Sequence, residues 1–198
     1  MRKVVGALAL ACLVSSMPLA AQESGRAGQG ASKPATGSST PHAAAGADQT
    51  FIHTAAMDGM AEVEHGRLAA QNALQDDVKQ FGQRMVADHS KAGDELKGLA
   101  SKKNATLPTE LDAKHKAMQD KLAKMKGADF DRAYMAHMVT AHQQAVALFE
   151  KESKGGTDAE VKAWAAKTLP TLQEHLKMAR GIKPKSAAGA KPSAPGAK

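Results

Sequence analysis

Along residues 48–182 apolar positions recur at alternating steps of three and four, the period of an amphipathic helix, and nowhere in the strict alternation of a half-buried strand. Punctuation falls at helix-length intervals. The pattern predicts five helical segments at about 48–73, 76–104, 108–126, 128–156 and 157–181. Asp76 suits an N-cap, Pro108 a first-turn position, Gly155-Gly156 a stop, and Thr157-Asp158-Ala159-Glu160 has the spacing of a capping box.

The segments differ in what their inward stripes contain. Segment five gives Val161, Ala165, Thr168, Leu172, His175, Ala179 and Ile182. Segment two gives Val78, Gly82, Met85, His89, Ala92, Leu96 and Leu99, with Phe81 alongside. Segment one gives Ile52, Ala55, Gly59, Glu62, Gly66, Ala69 and Ala73, small residues that permit close helix approach around one carboxylate. Segment four offers two adjacent stripes, one through His137 and one through Met138, His142, Ala145 and Phe149, and spacing does not choose between them.

Each long segment thus turns one ionisable group inward: Glu62, His89, His142 or His137, and His175. A repeated pattern underlies two of them, MVADHSKA at 85–92 and MVTAHQQA at 138–145. Short turns pair segment one with two and four with five as antiparallel hairpins, leaving segment three in the crossover. At about 1.5 Å of rise per residue the four polar groups gather near mid-bundle. The expected fold is therefore all-α, an up-and-down four-helix bundle with an extra short helix in the crossover.

The stretches FIHTAAMDGMAEVEHGRLAAQNA, VKQFGQRMVADHSKAGDELKGLASKKNATLP, FDRAYMAHMVTAHQQAVALFEKE and WAAKTLPTLQEHLKMA resemble the exported bacterial domain-of-unknown-function family 4142, placed among the ferritin-like bundles. The resemblance spans roughly 49–182 and implies a ferritin-like bundle, export to the periplasm or outer envelope, and no established activity. The Met and His motif is also similar to a second exported family of unknown function whose His-rich helices are linked to copper. One departure matters. Ferritin-like di-iron centres take a Glu from two helices and Glu-x-x-His from two others. Here Glu62 suits the first role, but Val86, Val139 and Leu172 stand three residues before His89, His142 and His175, so the bridging carboxylates are missing.

Composition confines this domain. Residues 1–21 have a basic start, an apolar run and small residues before Gln22, the layout of a cleaved secretory signal peptide. The single cysteine, Cys12, lies inside it, so the mature chain is expected to have neither disulfide nor thiol nucleophile. A Gly/Ser/Ala/Pro-rich linker at 22–47 and a basic tail at 183–198 lack the apolar side chains to offset chain entropy. The formal charge of +7 resides in residues 1–47 and the tail, and residues 48–182 are neutral. With so few aromatics, a nucleic-acid surface is excluded; the tail's reach is to anionic envelope components, and no transmembrane span is expected in the mature chain.

Imidazole suits copper, zinc and iron, and thioether sulfur favours reduced copper, so Met85 with His89 and Met138 with His142, each one helical turn apart, are the candidate ligands with Glu62 and His175. Met178 stands beside His175 in the same way. The opposing expectation treats the methionines as core filler and the polar groups as a structural network in an envelope module, one that fixes register or serves a protein partner. Asp88 is expected as a solvated charge, and His53, His65 and His115 at the surface or toward helix ends. No HExxH, P-loop or nucleophile motif is present.

Overall fold

A computed structural model describes residues 41–185 of the chain. The expected signal peptide, the linker up to residue 40 and the tail beyond Lys185 lie outside the described residues. Five helices run α1 (Pro41–Asn72), α2 (Asp76–Lys102), α3 (Ala113–Ala123), α4 (Gly127–Gly155) and α5 (Ala159–Gly181), and the described residues contain no strand. α1 packs along α2 and α4 along α5; contacts of α1 with α4 and α2 with α5 join the hairpins, and α3 lies against α1 and α4. The architecture is the expected ferritin-like up-and-down four-helix bundle, with the short helix in its crossover.

Four helix starts differ from expectation; at α2 it is Gln75, not Asp76, that stands at the N-cap, and its side chain makes no capping bond. α1 begins at Pro41 rather than near residue 48, with proline at a position where its missing N–H costs nothing. α3 begins at Ala113, not near Pro108, because the Asp112 carboxylate accepts from His115 N at 2.8 Å and caps it there. α5 is capped by Asp158, which accepts from Glu160 N and Val161 N. Thr157 is occupied elsewhere: its hydroxyl donates to Asp48 Oδ2 at 2.6 Å.

Close packing of α1 on α2 follows from the small-residue stripe. A Cβ added to Gly82 would stand 2.5 Å from Ala69 Cβ and 2.9 Å from Gly66 O, and one on Gly66 would stand 2.6 Å from Gly82 O. Two large clusters make up most of the apolar core, beside a small third one of Met57, Ala61 and Leu111. Phe51, Ile52, Leu96, Phe149, Trp164 and Leu172 belong to one, while Val78, Phe81, Met85, Phe130, Tyr134 and Met138 belong to the other. Along α2, α4 and α5 the residue that falls between the two clusters is a histidine.

Candidate metal centre

His89, His142 and His175 come from three different helices and meet at this level, with one ring nitrogen of each lying within 4.8 Å of the others. Ring centroids are 5.8 Å apart for His89 and His142, 5.4 Å for His89 and His175, and 5.3 Å for His142 and His175. α1 contributes Glu62, buried and placed between two of the rings: its Oε2 is 2.6 Å from His89 Nε2 and its Oε1 is 3.3 Å from His142 Nδ1. The four groups expected inward are brought together, and His142 rather than His137 is the inward histidine of α4.

The contacts select the imidazole tautomers. His142 Nδ1 donates to Met138 O at 3.0 Å, which leaves Nε2 as the lone-pair nitrogen. His175 Nε2 donates to Asp88 Oδ2 at 2.8 Å, which leaves Nδ1. Both remaining nitrogens, and His89 Nε2, are buried with no hydrogen-bond partner among the described residues. The Glu62 contact to His89 is close but off the ring N–H direction, an ion pair rather than an aligned hydrogen bond. Unsatisfied nitrogens of this kind cost free energy unless something else engages them.

Charge is distributed unevenly over the cluster. Burial drives Glu62 upward, but His89 and His142 outweigh it and hold its carboxyl well below the usual range. Burial lowers His89, yet the Glu62 carboxylate reverses this and raises it. His142 is lowered by burial, and His175 by burial to about 4 despite its bond to Asp88. The Glu62 carboxylate thus favours the protonated form of His89, while burial favours neutral imidazoles at His142 and His175, a donor set that fits a transition-metal ion once His89 gives up its proton.

Not every sequence expectation about side chains holds. Asp88 is no solvated charge: it orients His175 and is itself held by Arg84. It lies on the α5-facing flank of α2, one position before His89, and only the path of α5 shows this. His65 is fully buried, not at the surface, and its ring centroid is 5.1 Å from that of His137. His115 is half-buried between Asp58 and Asp112, and His53 is exposed as expected. Met85 and Met138 are fully buried in the apolar cluster beneath the histidines. A cavity of about 460 Å3 reaches Glu62 and His89 from the side, walled by Ala55, Leu96, Phe149 and Trp164.

Among solved structures, a DUF305 fragment from Deinococcus radiodurans superposes with a TM-score of 0.61 at 12% identity, over 68% of this chain and 93% of that one. A putative secreted DUF305 protein from Streptomyces coelicolor gives 0.58 at 13% identity, over 72% and 98%. CopM in its Cu(II)-bound form gives 0.58 at 19% identity, over 68% and 93%. At these identities the likeness is one of fold. No curated protein matches. No helix among the described residues is long and apolar enough to cross a membrane. Residues 33–182 match the family described as "Domain of unknown function (DUF4142)", and the chain belongs to that family.

Proposed function

We propose that this is an exported metal-binding bundle that holds one transition-metal ion, copper, zinc or iron, between His89, His142 and His175, with the Glu62 carboxylate beside it balancing charge. The observation that carries it is the convergence of three buried histidines from three helices, with His142 Nε2 and His175 Nδ1 lacking any hydrogen-bond partner among the described residues and His89 Nε2 engaged only by the Glu62 carboxylate beside them. The outward nitrogens of His142 and His175 are meanwhile held by a carbonyl and a carboxylate, the arrangement that orients metal-bound imidazoles. Copper is favoured by Met85 and Met138, each one turn before a ligand and assigned here as the thioether donors of a cuprous ion. The Cu(II)-bound form of CopM, a fold neighbour, supports the same choice. Export rests on the signal-like residues 1–21 and on the secreted description of a second neighbour, with the periplasm or outer envelope as destination, envelope or metal stress as the setting, and the basic tail touching anionic envelope components.

The competing role, a metal-free envelope module whose polar core fixes helix register, is favoured by Glu62 spanning His89 and His142. It leaves the converging nitrogens unexplained. Copper, zinc and iron titrations of untagged protein, followed by thermal midpoint, separate the two. A ligand of the native state raises stability by about 2.7 kcal/mol at a hundredfold excess over its dissociation constant. His142→Leu and His175→Leu should abolish that gain. Midpoints that no metal moves would sink the metal role.

A further inference from the structure

A second group of histidines lies on the other side of Glu62. His65 on α1 and His137 on α4 face a cavity of about 230 Å3, which Met118 of α3 also lines and whose inner end is Glu62. His65 is fully buried, and neither of its ring nitrogens has a hydrogen-bond partner among the described residues; the His115 carbonyl faces it but lies outside hydrogen-bond geometry. An imidazole buried this way contributes nothing that an apolar side chain of its size would not contribute better. Its polarity needs another reason.

We propose that His65 and His137 form a second cation site, separate from the three-histidine centre, that takes a soft monovalent ion of low coordination number such as cuprous copper, with the Met118 thioether as an auxiliary donor. The donor set selects that class. His65 is fully buried with both ring nitrogens free of hydrogen-bond partners among the described residues, and the ring of His137 stands 5.1 Å from it, centroid to centroid. No carboxylate oxygen completes a three-ligand group with them among the described residues. Asp58 is taken by His115, and Glu62 is turned toward His89 and His142. Two neutral nitrogens and a thioether suit a d10 monovalent ion, which accepts two or three soft or borderline ligands, and suit poorly a divalent ion that needs more donors and a compensating anion.

Silver(I), a redox-inert probe of the same class, tests this on the full chain by calorimetric stoichiometry and by imidazole nitrogen shifts in NMR. In a His142→Leu/His175→Leu background one equivalent of silver should remain and shift the nitrogens of His65 and His137. His65→Leu or His137→Gln in that background should remove it. In the otherwise unchanged chain, His65→Leu should lower silver stoichiometry by one while leaving zinc binding by the three-histidine centre intact. Because His65→Leu loses no hydrogen bond, its thermal midpoint should stay near that of the parent, and the half-buried His137→Gln provides a second variant if it does not. Unchanged stoichiometry in both variants, or no shift at His65 and His137 on adding silver, would leave the cavity merely hydrated and overturn the proposal. Absence of zinc binding by the otherwise unchanged chain, with silver still bound at His65 and His137, would overturn only the function proposed above, whereas loss of zinc binding on His65→Leu would show that the two sites are not separate.

Discussion

Asp131 closes the α1–α2 turn from the start of α4 just as Asp48 closes the α4–α5 turn from α1. Asp131 accepts from Leu74 N at 2.9 Å and Gln75 N at 3.0 Å, while Asp48 accepts from Thr157 N at 3.2 Å and Asp158 N at 2.9 Å. Both carboxylates are buried, so each hairpin is capped by a charge from the opposite hairpin. This exchange fixes how the halves are staggered, and the stagger brings His89 level with His142.

Removing either cap leaves two N–H groups at a turn without acceptors. Asp131→Ala and Asp48→Ala should each lower unfolding free energy by about 1–3 kcal/mol, read by urea denaturation. Asp131→Asn, which keeps one acceptor oxygen, should lose less. A loss no larger than that from exposed Asp76→Ala would show that these caps do not hold the hairpins together.

Glycine at 66 and 82 is a packing requirement. In an open helix Gly→Ala gains roughly 1 kcal/mol from propensity. Here the new methyl meets backbone or Cβ atoms at 2.5–2.9 Å, which no side-chain rotation relieves. Gly66→Ala and Gly82→Ala should therefore destabilise by about 1–3 kcal/mol net, whereas Gly98→Ala, with open space around it, should stabilise. Thermal midpoints of the three variants give the signs directly.

Glu152 makes stability fall as pH rises. Burial, reinforced by the Asp48 carboxylate, pushes it up to about 7 from 4.5. The native state thus binds a proton that the unfolded state has released, and ∂ΔG/∂pH is negative between these values. Its contribution is fully present below pH 4.5 and lost as pH rises through about 7. Glu152→Gln should leave stability near wild type at pH 5 and exceed it at pH 8 by on the order of 1–3 kcal/mol. Parallel pH profiles for the two proteins would refute this origin.

Much of this was legible in the chain itself. The three-four spacing gave four long helices and the inward stripes because bundle packing rewards one face per helix, and the Gly/Ala stripe of α1 announced close approach. Glu62, His89 and His175 could be placed in the seam on spacing alone. His137 and His142 could not be separated, because two adjacent stripes were equally apolar and only the position of α3 turns His137 toward a separate cavity. Asp48, Asp131 and Asp88 act across helices far apart in sequence, so no local signature marks them. His65 follows Glu62 by three residues on α1, a spacing that reads equally well as flank or core until α4 covers it.

Metal binding at the three-histidine centre should release about one proton per ion where His89 is protonated. Two ligands are already neutral there, and only His89, raised by Glu62, carries a proton to be displaced. Affinity should accordingly fall about tenfold per pH unit below the His89 pKa, with a single-proton slope. Calorimetry in buffers of different ionisation enthalpy measures the number. Release of two or more protons at pH 7 would mean that His142 or His175 is also charged and that the assigned tautomers are wrong.

Asp88 stands between a ligand of the centre and the surface of the bundle. Its bond to His175 Nε2 fixes which nitrogen faces the centre, while its contact with Arg84 is a half-exposed pair of a kind worth little to stability. A carboxylate that only ties down the surface and one that orients a ligand therefore differ in what Asp88→Ala changes. If orientation is its role, metal affinity should drop roughly 10–100-fold, beyond the about 1–3 kcal/mol of metal-free stability lost by leaving the buried His175 Nε2–H without an acceptor. Arg84→Ala should weaken affinity less, since Asp88 still reaches the ring without it. Asp88→Asn should fall between wild type and alanine, because its amide oxygen still accepts from Nε2 but brings no charge to support the imidazole as a donor. A midpoint that drops with affinity unchanged would assign Asp88 to the fold instead.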